Sequence, residues 1–305
     1  MPGLNRLATK CVFVSWYLCA AVMCLSAPMS AVAEPTKFEL RDQDRVVMLG
    51  GTFIEREGQF GYFETAMMTA FPGRKITFRN LGWSGDTVWA DSRGIFDPAP
   101  AGYQRMIGLV KELNPTVIIL AYGQNESFAG EAGLSNFVAQ YEKLCEDLRG
   151  ARLVFMTPHR FERPAPPLPD ASLQNRLLEV YAKAVRELAQ RRNAPVLDLF
   201  SLPQPSENLT DNGIHFGAQG YAVLATEVQR QQHWAGAKVS SERSEEIRRK
   251  IVQKNMMFFH RWRPQNITYL TGFRKYEQGN NAVEIAQFDP IVEAIETEIV
   301  EMNHE

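Results

Sequence analysis

Four short stretches carry groups suited to acyl transfer: Gly50-Gly51-Thr52, Ser84-Gly85-Asp86-Thr87, Gly123-Gln124-Asn125-Glu126, and Asp211-Asn212-Gly213-Ile214-His215. In order they supply a hydroxyl, a glycine in a tight turn, an amide side chain, and an imidazole preceded by a carboxylate and a carboxamide. Acyl transfer needs a nucleophile, a base, a group to orient the base, and donors aimed at the developing oxyanion. Each stretch taken alone is an ordinary loop. A Gly pair before a hydroxyl is a common strand exit, and a histidine serves equally well as a cap or core residue. The other histidines, His159, His233, His260 and His304, share no spacing with Cys, Asp or Glu that would hold a metal, and read as surface or structural. Glu55, Asp86 and Glu126 read as solvated or helix-capping acids. Trp83 and Tyr122 suit a pocket wall and core packing equally.

For these groups to meet, the chain must bring them to one edge of one sheet. Residues 45–52 hold four apolar residues in a row and then the Gly pair and Thr52, the pattern of a buried parallel strand with a tight exit. Further strands are predicted at 76–80, 116–122, 153–156 and 195–199. Helices are predicted at 62–71, 103–113, 134–148, 173–191 and 218–231, with 53–61 and the prolines at 98 and 100 in loops. This alternation argues for a three-layer, doubly wound α/β domain over residues 37–235, flavodoxin-like, with five parallel strands. In such sheets ligands bind outside the carboxyl ends of the strands, where Thr52, Gly85, Asn125 and His215 all fall.

The two ends read differently. Arg6 and Lys10, an apolar run over 11–27, and Ala31-Val32-Ala33 before Glu34 form a secretory signal peptide over residues 1–33. The run is short for a retained span of ~20 residues, so the mature protein is expected to be exported, periplasmic or secreted, with no stable membrane span. Three of the four cysteines leave with the leader, and Cys145 reads as a core residue. A net charge of −2, made more negative by loss of Arg6 and Lys10, gives no reason to expect nucleic acid. Residues 236–305 have no strand pattern. A charged helix over 240–259 leads into Phe259, Trp262, Tyr269 and Phe273 among Arg261, Arg263 and Arg274. This appendage is expected to fold back on the α/β domain, its arginines pairing with carboxylates or projecting to the site mouth. The rival is a docking surface for another exported protein.

Together the four stretches resemble the blocks of the SGNH, or GDSL-like, esterase and lipase superfamily over about residues 44–235. Asn80 through Ser84, then Gly85, match the second block, and Gly123-Gln124-Asn125 the third. His215 matches the histidine of the fourth block. Thr52 stands where the family has its serine, Gly51 where it has aspartate, and Asn212 where it has the triad acid, with Asp211 one residue early. The chain also resembles an exported bacterial subgroup with threonine in the first block and a tail like 259–279. The resemblance implies hydrolysis of a small-molecule or carbohydrate ester, including O-deacetylation, without cofactor or metal. Thr52 would be the nucleophile and His215 the base, oriented by Asp211 or Asn212. The oxyanion hole would comprise the Thr52 and Gly85 N–H groups and the Asn125 amide. The alternative is a catalytically impaired binding protein on the same scaffold.

Overall fold

Strand β1 (Arg45–Gly50) feeds two cores at once, Val46 and Met48 facing one and Val47 and Leu49 the other. A strand covered on both faces needs apolar residues at every position, and the run is accordingly unbroken. The computed structural model describes residues 36–163, 166–203, 209–234, 240–277 and 281–304, so the expected signal peptide lies outside the described residues. Strands β2 (Thr77–Asn80), β3 (Val117–Ala121), β4 (Arg152–Met156) and β5 (Val196–Leu197) complete a parallel five-stranded sheet in the order β2-β1-β3-β4-β5. Gly50 lies opposite Ala121 in the register, so the exits of β1 and β3 leave the sheet side by side.

Helices α1 (Thr52–Phe60) and α2 (Tyr62–Ala70) follow β1. Between the later strands run α3 (Ala99–Glu112), α4 (Leu134–Asp147) and α5 (Ser172–Arg191), and α6 (Ala218–Gln231) closes the α/β portion. Phe63 and Met67 of α2 and Leu224 and Val228 of α6 fill one core, while Met106, Tyr141, Leu144 and Val185 from α3, α4 and α5 fill the other. Cys145 is buried in α4.

Two helices depart from the sequence expectation. Residues 52–60 are helical where a loop was expected over 53–61, and Glu57 turns inward from this helix: its carboxylate accepts the Phe63 and Glu64 N–H groups at 2.7 and 3.1 Å and so caps α2. Burial pushes the Glu57 carboxyl up to about 8. Helix α3 begins at Ala99 rather than 103, with Pro100 in its first turn, where a missing N–H is not needed.

The C-terminal region is helical: α7 (Ser241–Trp262), α8 (Ile267–Leu270) and α9 (Phe288–His304). It folds onto the rest of the chain, α7 against α1, α2 and the edge strand β2, and α9 against α7. Lys254 of α7 is fully buried, its Nζ 2.5 Å from the Glu64 carboxylate and 3.1 Å from the Phe78 carbonyl oxygen on β2. Such a cover blunts an edge that would otherwise present free backbone groups. The three arginines singled out in the tail all find carboxylates: Arg261 pairs with Asp289, Arg263 with Glu55, and Arg274 with Glu277. Among the described residues no helix is long and apolar enough to cross a membrane.

Candidate active site

Thr52 is the first residue of α1, directly beyond the β1 exit, where helix geometry leaves N–H groups without intrahelical partners. Its Oγ1 accepts the Gly85 N–H at 3.0 Å, which leaves the hydroxyl proton available to another acceptor. Gly85 sits at φ +76° in a turn closed by the Asp86 N–H on the Trp83 carbonyl at 3.0 Å, a backbone conformation that glycine adopts without strain. A Cβ on Gly51 would stand 3.1 Å from the Asp86 carbonyl oxygen, so the usual aspartate has little room here.

Asn125 precedes a short 3-10 turn after β3, and its Nδ2 donates to the Asp86 carbonyl at 2.9 Å. An amide nitrogen carries two protons, and among the described residues the second finds no partner. Below it the buried Glu126 carboxylate accepts the Val88 and Gly123 N–H groups, each at 2.8 Å, tying the second and third loops together. Burial raises Glu126 to about 7. Asp86 is also buried and pairs with Arg93 at 2.6 Å. Of the solvated or helix-capping roles expected for these acids, burial excludes the solvated one: both are structural ties.

The histidine loop is built around Asn212. Its Oδ1 accepts the Ile214 and His215 N–H groups at 3.1 and 2.9 Å, which leaves Nδ2 facing His215 Nδ1 at 3.1 Å. Because Oδ1 is committed to two donors, the amide cannot be turned over without losing both. Nδ2 therefore donates, Nδ1 accepts, and the neutral imidazole carries its proton on Nε2. Asp211, the other candidate to orient the ring, instead directs its carboxylate to Arg56 at 3.1 Å. No hydrogen bond joins Asp211 to the His215 ring, or Thr52 Oγ1 to it, among the described residues. Burial lowers the His215 pKa, the Arg56 charge lowers it further, and Asp211 opposes them.

Thr52, Asn125 and His215 line one cavity of about 50 Å³, with Tyr122 and Phe216 in its wall. Sequence reasoning missed another member, His159. It is buried, lines the same cavity, and rests its ring 4.8 Å from that of Phe216. Its Nδ1 lies 3.0 Å from the Arg160 carbonyl, so Nδ1 holds the proton, and burial drops its pKa to about 4. The available signal was position: His159 follows the β4 exit, at the same sheet edge as the other loops. Trp83 lies outside this cavity. It begins a groove of about 730 Å³ between α3 and the end of α7, lined also by Phe259, Trp262 and Arg263.

A family model described as the GDSL-like Lipase/Acylhydrolase family matches residues 55–223, a span that starts three residues after Thr52. The GDSL esterase/lipase CPRD49 of Arabidopsis thaliana is 27% identical over 215 residues, covering 61% of this chain and 77% of its own. Among solved structures, a gut microbial diltiazem-metabolizing enzyme superposes with TM-score 0.65 at 13% identity, covering 88% of this chain and 97% of its own. That share cannot be reached without the C-terminal helices. A variant of Axe2, an acetylxylan esterase from Geobacillus stearothermophilus, superposes with TM-score 0.51 at 15% identity, covering 67% of this chain and 100% of its own. The parallel sheet, the loops gathered at its carboxyl edge and a family match over more than half of the sequence agree: the chain belongs to the GDSL-like lipase/acylhydrolase family.

Proposed function

We propose that this chain, exported after loss of residues 1–33, hydrolyses esters of short acyl groups carried on a carbohydrate or similar polar alcohol. The observation that carries the reading is the convergence of Thr52, Asn125 and His215 on one small cavity, with the Gly85 N–H already on Thr52 Oγ1. A cavity of about 50 Å³ has room for an acetyl-sized group rather than a long chain. The larger groove beginning at Trp83 has the size and aromatic lining to receive the alcohol portion.

In this mechanism Thr52 Oγ1 attacks the ester carbonyl carbon while its proton passes to His215 Nε2. The carbonyl oxygen becomes an oxyanion held by the Thr52 and Gly85 N–H groups and the free Asn125 amide proton. Collapse breaks the ester C–O bond, and His215 returns the proton to the departing alcohol. Water then repeats the sequence on the acyl-threonine, yielding the carboxylic acid and free Thr52. The first proton transfer calls for a lone pair on Nε2, and the Asn212 bond opposes that tautomer. In the serine protease template, imposing the wrong tautomer by the corresponding Asp to Asn change costs about 10⁴ in rate. The β-methyl of Thr52 adds hindrance. Turnover is therefore slow.

The test is hydrolysis of p-nitrophenyl acetate and of acetylated xylo-oligosaccharides by the purified chain, with Thr52→Ala and His215→Ala each abolishing it. Activity that survives both substitutions would place the chemistry elsewhere. The Asn212 geometry also favours a second reading, a binding protein that keeps the oxyanion donors and has lost turnover. Saturable binding of an acetylated oligosaccharide with no product after long incubation would select it.

A further inference from the structure

The C-terminal segment reaches the candidate-site loops at Trp262, whose ring lies 5.8 Å from that of Trp83, and at Arg263, the residue that also reaches Glu55. Arg263, just past the end of α7, places its guanidinium 3.7 Å from the centre of the Trp83 ring and donates Nη1 to the Glu55 carboxylate. Glu55 lies in the first turn of α1, three residues from Thr52. Its carboxylate also accepts the Ser84 N–H at 2.9 Å and the Ser84 hydroxyl at 2.6 Å. Ser84 shares a peptide unit with the Gly85 nitrogen, the donor that touches Thr52 Oγ1. Ser84 and Gly85 are both exposed, and a Cβ built on Gly85 would meet only Ser92 Oγ, at 3.3 Å. Packing therefore does little to hold Ser84 and Gly85 themselves; Trp83 and Asp86 on either side are tied by backbone hydrogen bonds, and the Glu55 carboxylate is what holds Ser84 between them. Burial pushes the Glu55 carboxyl up, but the Ser84 hydrogen bonds and the Arg263 charge outweigh it, and Glu55 stays ionised at neutral pH.

We propose that Arg263 is a positioning residue for acyl transfer: by fixing Glu55 and Trp83 it sets where the Gly85 N–H points, making the C-terminal helices part of the oxyanion site. The proposal rests on the ester hydrolase reading. Oxyanion donors act by pre-organisation, so a donor that wanders loses rate without losing ground-state binding. Arg261, two residues earlier and paired with Asp289 of α9, makes no such link among the described residues.

The experiment compares Arg263→Ala, Arg263→Lys and Arg261→Ala in the full chain on p-nitrophenyl acetate. Removing an oxyanion donor outright costs 10² to 10³ in kcat, so misplacing one should lower kcat roughly 10- to 100-fold in Arg263→Ala with KM within about twofold. Arg263→Lys, which keeps the charge on Glu55 but not the planar stack, should recover part of that loss. Arg261→Ala should leave kcat unchanged. Amide hydrogen exchange by NMR supplies a readout that needs no turnover: Arg263→Ala should speed exchange at Ser84 and Gly85 and leave Gly123 unchanged. A folded Arg263→Ala with normal kcat, or an equal loss in Arg261→Ala, overturns the proposal. If the native chain hydrolyses nothing, the hydrolase reading fails, and unchanged exchange at Ser84 and Gly85 would separately sink the positioning role.

Discussion

The two halves of the site are built on different principles. The half proposed to hold the oxyanion is interlocked across three loops: Gly85 on Thr52, Asn125 on the Asp86 carbonyl, and Glu126 bridging the second and third loops. The histidine loop is held in place by Arg56 and Glu162, but its ring is oriented from within the loop, where Asn212 satisfies two N–H groups and faces the ring three residues on. Donors that belong to the backbone survive a change of side chain, whereas the tautomer of an imidazole depends on one neighbour. Thr52 in place of serine leaves the first half intact; Asn212 in place of aspartate reverses the sense of the hydrogen bond in the second.

The largest effect should come from reversing that bond. Asn212→Asp lets a carboxylate oxygen accept Nδ1–H while the other keeps the backbone donors, and should raise kcat by up to about 10⁴. Combining it with Thr52→Ser, which removes the β-methyl, should raise kcat further. A folded double variant without gain in steady-state assays would mean that the histidine half does not limit the rate. Next in size, Asn125→Ala removes one oxyanion donor and should cost about 10² to 10³ in kcat, measured on the same ester. A smaller loss would mean that the amide serves only to hold Asp86.

A pH profile sharpens the contrast. Burial, then Arg56, lowers the His215 pKa, so the acid limb of kcat/KM should have its midpoint below the ordinary histidine value of about 6.5. Arg56→Gln removes a nearby positive charge, makes protonation easier, and should move that limb to higher pH. The smallest effect is expected for Asp211→Ala, within about threefold in kcat, because its carboxylate serves Arg56 and not the ring. A large loss would show that Asp211 swings to His215 during turnover.

Most of the sheet was legible, because β1, β3 and β4 announce themselves as apolar runs, and β1, β2 and β3 run straight into loops of functional residue types. Helix α1 was not. Its Glu55, Arg56 and Glu57 suggest a solvated loop, and only the tertiary structure supplies the N–H groups that Glu57 caps. The start of α3 was hidden by prolines that a first helical turn tolerates. Within the site, residue types pointed to Thr52, Gly85, Asn125 and His215, but which atom of Asn212 faces the ring is fixed by the loop's own N–H groups. His159 was read as surface or structural because it has no partner in sequence and gains its place in the cavity only from the end of β4.

The buried contact between Lys254 and the Phe78 carbonyl spans 176 residues of sequence. Until α7 has been synthesised and has docked, β2 remains an open edge and Glu64 lacks its cation. Sealing of that edge thus waits on residues well beyond the last strand of the sheet. Contacts of such long sequence separation are formed slowly and leave the edge available for wrong pairing in the interval. A nascent chain halted before residue 254 would present the candidate-site loops on a sheet whose edge is not yet sealed.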